Sequence, residues 1–176
     1  IPCEIDVRNR WPFYAKGGDY APYFAPYFAN PHLLIDWRRS GADIALGKHS
    51  VLPSKEHYFS PGLTYTERTA SVFNVRTLPA GCIFSQAGPI ILLRERSDAL
   101  PLLGYLMSLP ARSMIELLVG SGDGAVSGSA ARHFLAGVIG SVPVPNFPSQ
   151  QWEEIGAAAD ECVRYSRAIG QQGETD

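Results

Sequence analysis

Residues 58–88 read YFSPGLTYTERTASVFNVRTLPAGCIFSQAG, and this stretch decides the fold class. Leu63 and Tyr65 alternate with Thr64 and Thr66, the period-two signature of a strand over residues 62–67. A second strand is predicted over 71–78, with Phe73 and Val75 on one face. Pro79-Ala80-Gly81 turns the chain, and short strands follow at 82–84 and 90–94. Upstream, HLLIDW at 32–37 reads as a strand packed on both faces. These segments predict a twisted mixed or antiparallel central sheet at the front of the chain.

Helical patterns dominate the back. Ser97 or Asp98 caps a segment running to residue 108 or 109, with Pro101 in its first turn, where a missing amide proton matters little. Leu102, Leu103, Leu106 and Met107 form its stripe. Pro110 interrupts, and residues 111–119 resume. Residues 150–169 carry Trp152, Ile155, Ala159, Cys162, Val163 and Ile169 at steps of mostly three and four, which predicts a long helix. Shorter helices are expected at 40–48 and 130–138, and a flexible glycine-rich loop at 120–128. In residues 1–30 the tandem APYF repeat (21–24 and 25–28) carries Pro22 and Pro26, which argue for extended chain. The reading is an α/β (α+β) fold, a central sheet with flanking helices. Residues 1–149 form the main unit, 150–169 a helix packed on it, and 170–176 a polar tail.

Composition narrows the function classes. A chain of 176 residues with 45% apolar and 18% charged side chains builds one folded domain. A net charge of −2 excludes a uniformly basic nucleic-acid binder. Charge is nevertheless uneven. Up to Arg96 there are eleven Lys and Arg against eight Asp and Glu, and from Ser97 onward four against nine. The positive front permits a polyanion-binding face without demanding one. No run of about 18 apolar residues marks a membrane span, and IPCEIDV lacks the pattern of a signal peptide. Because the first residue is Ile1, we expect an excised piece of a longer protein. Cys3, Cys82 and Cys162 are far apart and fit three reduced cysteines in a cytoplasmic protein.

Catalytic signatures are missing. There is no GxGxxG, phosphate loop, HExxH, nucleophile elbow or calcium loop. His32, His49, His57 and His133 never fall at helical ligand spacing. The paired acids Glu153-Glu154 and Asp160-Glu161 read as the wet face of the last helix. No catalytic residue, cofactor site or metal site is assigned within the chain.

A sheet surface dense in hydroxyls with a few arginines suits phosphate contacts and base-edge hydrogen bonds. Arg68 and Arg76 flank the second strand pair and are candidates for DNA contact. For Arg76 a buried structural pair is the main rival. Lys16 and Lys55 suit phosphates, and Arg38 and Arg39 follow a strand end. Thr64 and Thr66 complete the set, although β-propensity alone also explains threonine there. Tyr65 and Trp37 read as core anchors.

The order of the short motifs resembles the specificity region of Eco57I-like and BREX-type adenine-specific DNA methyltransferases. The elements are Pro12-Phe13-Tyr14-Ala15-Lys16-Gly17-Gly18, Leu34-Ile35-Asp36-Trp37, Gly62-Leu63-Thr64-Tyr65, Phe73-Asn74-Val75-Arg76, Pro79-Ala80-Gly81-Cys82-Ile83-Phe84 and Gln86-Ala87-Gly88. Downstream, Leu103-Gly104-Tyr105-Leu106-Met107-Ser108 and Val142-Pro143-Val144-Pro145 continue the likeness, which covers residues 12–147. Asn74 stands where serine is common, no lysine follows Ser108, and the APYF repeat and the 120–128 loop look local to this chain. The resemblance implies a target recognition domain that binds double-stranded DNA beside an upstream methyltransferase domain. It also implies S-adenosylmethionine as the cofactor of the parent protein, since the chain has no (N/D)PP(Y/F) motif of its own. Two rival readings remain open. A protein-interaction module of the same system predicts an exposed apolar patch near 109–119 or 130–138. A small hydrolase predicts a cavity with convergent His and Asp or Glu side chains.

Overall fold

The computed structural model describes residues 10–17, 23–24, 33–47, 50–52, 54–120 and 131–172. All of the APYF repeat but Tyr23 and Phe24, most of the glycine-rich loop, Cys3, His32, His49 and the end of the polar tail lie outside them. In chain order the elements are β1 (Tyr14–Ala15), β2 (Tyr23–Phe24), α1 (Arg38–Ala45), β3 (Gly62–Tyr65), β4 (Arg68–Thr69), β5 (Val75–Leu78), β6 (Ile83–Phe84) and β7 (Ile90–Ile91). Then come α2 (Ala99–Met107), α3 (Leu109–Gly120), β8 (Arg132–His133), α4 (Ala136–Gly140) and α5 (Ser149–Gln172). The result is a mixed α/β fold with a central sheet and flanking helices.

The central sheet has the strand order β2-β5-β3-β7. β3 runs antiparallel to both β5 and β7, and β2 runs parallel to β5. β1 pairs in parallel with β6, and β4 pairs antiparallel with β8, as two separate ribbons. Both faces of the central sheet are covered. Leu63, Tyr65 and Val75 join Phe73, Leu103, Leu106, Ile115 and Phe134 in the larger core under the helices. Leu78 points the other way and joins Tyr58, Cys82, Ile83 and Phe84 in a second core. This covering defeats part of the sequence expectation. Thr64 and Arg76 are register partners on the same face as Leu78, so the surface expected to be solvent-facing is an interior one.

Helices α2 and α5 pack at close range. A methyl group added at Gly104 would lie 2.7 Å from Ile155 Cγ2, and one at Gly156 would lie 2.9 Å from Pro101. These two glycines let the helices approach as side-chain-bearing residues would not. Val75 N–H also donates to Met107 Sδ at 3.1 Å, tying the start of β5 to α2. No single helix among the described residues is long and apolar enough to cross a membrane.

Two expectations need correction. Residues 33–37 form no strand of the central sheet but pair loosely with residues 10–14, through Tyr14 N to Leu33 O and Ile35 N to Pro12 O. They are not packed on both faces either, because Leu34 is exposed. The helix expected over 130–138 is instead β8 followed by the short α4. Cross-strand pairing of Arg132–His133 with β4 outweighs the local helical pattern there. The expected interruption near Pro110 is present: α2 ends at Met107, Ser108 is extended, and the chain bends by 70° into α3, whose first turn holds Pro110, where proline is tolerated.

Tyr65 yields a pH prediction. Its side chain is buried and its hydroxyl has no hydrogen-bond partner among the described residues. Burial pushes its pKa up to about 12. Unfolded, the phenol releases its proton near 10. Between those values the unfolded chain binds fewer protons than the folded one, so stability falls as pH rises, by about 1.4 kcal/mol per pH unit. Replacing Tyr65 with phenylalanine should remove this alkaline loss and leave neutral-pH stability unchanged within about 1 kcal/mol, since no bond is lost. Urea unfolding at pH 7 and pH 11 checks it. An alkaline loss that persists in Y65F assigns the effect to another group.

Candidate nucleic-acid interface

Two clusters of basic side chains form at opposite ends of residues 10–16. The first is assembled by backbone contact between two glycine turns. Gly17, at φ +74°, sits against Ala87 and Gly88 so closely that a Cβ on it would lie 2.1 Å from the Ala87 carbonyl oxygen. Ser85 Oγ donates to the Lys16 carbonyl at 2.8 Å. The Ala87 carbonyl accepts from Glu67 N at 3.0 Å, and the Glu67 carbonyl accepts from Phe134 N. This chain of contacts leads from Lys16 to Arg68 and on to β8. In the β4–β8 ribbon Arg68 is paired with His133, and Thr69 with Arg132. Lys16, Arg68, Arg132 and His133 are all exposed. Two carboxylates share this end. Glu67 Oε1 lies 3.1 Å from His133 Nε2, and Glu116 Oε1 lies 3.2 Å from Arg132 Nη1.

The second cluster surrounds Trp37. Its indole meets Tyr58 and Phe59 edge-on, with ring centroids 5.5 and 5.8 Å away. Lys55 Nζ lies 5.5 Å from the indole centroid, within cation–π range. Arg38 and Arg39 follow Trp37 directly, and both are exposed. Arg39 and Ser40 take left-handed backbone angles before the chain turns helical. Arg10 and Arg38 share Asp36, at 3.1 and 2.9 Å, and Arg39 pairs with Asp43. Hydrogen bonds from Arg10 hold the Asp36 carboxyl below the usual carboxylate range, so it stays ionised and offsets part of the cluster's charge. Five residues separate Arg10 from Lys16, so their Cα atoms lie at most about 20 Å apart.

The remaining three sequence candidates lie inside. Thr64, Thr66 and Arg76 are 1, 6 and 1% exposed, so none offers its side chain to a duplex. Arg76 Nη1 donates to Asn74 Oδ1 at 3.0 Å, and Nη2 donates to Thr66 Oγ1 at 3.2 Å. Of the eight candidates, the structure therefore brings Lys16 and Arg68 together, groups Arg38, Arg39 and Lys55 elsewhere, and buries the others. Sequence reasoning missed Arg132, His133 and Arg10. Arg132 and His133 are both polar and exposed before buried Phe134, so no period-two alternation marks the ribbon in the sequence.

The rest of the surface is differently built. A groove of about 440 Å³ lies between the starts of α2 and α5, with Asp98, Pro101, Phe147, Trp152 and Glu153 among its lining. It contains no histidine and no basic side chain, so it suits neither a polyanion nor a histidine-based hydrolase. Among the described residues no group of three or more His, Cys, Asp or Glu side chains is placed to hold a metal ion. Leu109, Leu117 and Leu135 are exposed, in the region where the protein-interaction reading expects an apolar patch.

No protein-family model matches the chain. Over 105 residues it is 27% identical to the adenine-specific methyltransferase BrxX of Escherichia coli O9:H4 (strain HS). That match covers 60% of this chain and 8% of the relative, so the chain spans only a small part of the length of the protein it resembles. The likeness is distant and partial, and it links the chain to adenine-methyltransferase proteins in general.

Proposed function

We propose that this domain grips duplex DNA as the specificity part of a larger adenine-N6 DNA methyltransferase or restriction-modification protein. The observation that carries the reading is the pairing of exposed Arg68 and His133 on one face of the β4–β8 ribbon, linked by backbone contacts through the paired glycine turns to exposed Lys16, with exposed Arg132 next to His133 in the strand. The partial likeness to an adenine-specific methyltransferase supplies the context. Phosphate oxygens are the natural partners of exposed Lys and Arg, and an exposed two-stranded ribbon has the width a major groove admits. The Trp37 cluster, at the other end of residues 10–16, would meet the backbone at a second point.

Methyl transfer belongs to the parent protein. The described residues fit no S-adenosylmethionine site of the doubly wound kind, because β5, β3 and β7 are antiparallel neighbours without the strand–helix–strand crossovers such a site needs.

The test is a salt titration of duplex binding by fluorescence anisotropy. Non-specific affinity should fall in the range of about 10⁻⁴ to 10⁻⁶ M near physiological salt. Arg68→Ala and Lys55→Ala should each remove one phosphate contact and lower the salt slope by about 1. Binding indifferent to salt, or both variants matching wild type, rejects the face. A second reading rests on exposed Leu109, Leu117 and Leu135, which favour docking against another protein surface. Failure to bind DNA, together with tight association with the parent's methyltransferase domain, would favour it.

A further inference from the structure

The β4–β8 ribbon carries basic side chains that are already engaged. Arg132 faces Glu116 on α3, and His133 faces Glu67 at the ribbon's own entry. Arg68 stands beside His133 in the register, and no carboxylate lies within ion-pair distance of it among the described residues. Glu116 is carried by α3, and the backbone of Glu67 is bonded to Ala87 and Phe134.

We infer that Glu116 and Glu67 are electrostatic guards of the DNA-binding ribbon. They hold Arg132 and His133 until a duplex phosphate displaces them, and so they weaken binding to DNA that offers poor geometry. The inference rests on the proposed DNA-binding reading. Its physical basis is competition. A phosphate must replace a carboxylate already at hydrogen-bond distance, whereas at Arg68 it meets an open guanidinium. Exposed pairs of this kind are weak, so a well-placed phosphate wins. They also carry negative charge close to an approaching polyanion, well inside the Debye length of about 10 Å at 0.1 M salt. The guards would thus act on loose, non-specific complexes more than on a fitted one.

The experiment uses the full chain, a random-sequence DNA duplex and four proteins: wild type, Glu116→Gln, Arg132→Ala and the double variant. Glu116 and Arg132 lie at the surface, and circular dichroism would verify that each variant is folded. Glu116→Gln should tighten binding on the order of three- to ten-fold at low salt, the scale of one surface ion pair with its repulsion removed. In the Arg132→Ala background the same substitution should give little gain, because the cation it would release is absent. An equal gain in both backgrounds would reduce Glu116 to a generic repulsive charge and overturn the guard. No gain in either would overturn it as well. If wild type binds while the variants fail this pattern, only the guard falls. If no protein binds at low salt, the DNA-binding reading falls and the guard with it. Glu67→Gln, read against His133→Ala, repeats the cycle independently.

Discussion

Replacing Gly17 with alanine should lower the stability of the folded chain by roughly 2–4 kcal/mol. Gly17 has φ +74°, a left-handed conformation that costs a residue bearing a Cβ about 1–2 kcal/mol. The larger effect is steric. The added methyl would lie 2.1 Å from the Ala87 carbonyl oxygen and 2.6 Å from its carbon. Both atoms are backbone and have no rotamer to escape into, so the two turns must separate. Separation strains the Ser85 bond to Lys16 and the Glu67 bond to Ala87, each worth about 1 kcal/mol. Gly88 is subject to the reciprocal constraint, since its added methyl would meet Gly17 N at 2.6 Å. Because Ala87 also anchors Glu67, and through it the β4–β8 ribbon, DNA binding should weaken along with stability. Gly137 is the control. It lies exposed in α4 with open space around it, so alanine there should be neutral or add up to about 1 kcal/mol. Urea unfolding of the two variants decides the matter. A Gly17→Ala midpoint equal to wild type would show that the turns are not locked as described.

Much of the fold was legible because its signals are local. The alternation of Leu63 and Tyr65 with threonines marks β3, and the three-and-four spacing from Trp152 onward marks α5. What stayed hidden depends on what lies across from each element. Period-two alternation says that Thr64 and Arg76 share a face, but not that Leu78, Tyr58 and Phe84 cover it. A polar strand face reads as solvent-exposed until a second layer is known to lie on it. Arg132-His133 failed for the related reason that a two-residue strand is fixed by its partner, here Arg68–Thr69, rather than by its own propensity. The glycine motifs were visible as Gly17 and Gly88, whereas their contact with each other was not, since it joins positions about seventy residues apart. The candidate site was therefore half legible: exposed Lys16, Arg38, Arg39, Lys55 and Arg68 were named from sequence, and the ribbon that gives Arg68 its neighbours was not.

Arg76 separates the interior role from the DNA role most sharply. Its guanidinium spans Asn74 and Thr66, and its side chain is almost wholly enclosed between the central sheet and the second core. Alanine there deletes a large buried side chain and removes the donors that satisfy Asn74 Oδ1 and Thr66 Oγ1. Core truncations of comparable size cost about 2–5 kcal/mol, and each buried acceptor left without its donor costs about 1–3 kcal/mol more, less whatever the site recovers by collapse. A loss of about 3–5 kcal/mol is the expected result for Arg76→Ala. At this chain length that lowers the melting temperature by roughly 6–20 °C. Methionine retains most of the volume but removes the same donors, so Arg76→Met should recover only the packing part of the loss and remain less stable than wild type. Lysine keeps the charge but places it on a single ammonium that cannot bridge two acceptors as a planar guanidinium does, so Arg76→Lys should not rescue the fold fully. A phosphate-contacting arginine behaves in the opposite way: its alanine variant keeps its melting temperature and loses about 1 from the salt slope of DNA binding. Calorimetric melting and the salt titration, applied to the same three variants, therefore give opposite answers for the two roles. An Arg76→Ala protein as stable as wild type but with a shallower salt slope would move this residue from the interior to the DNA face.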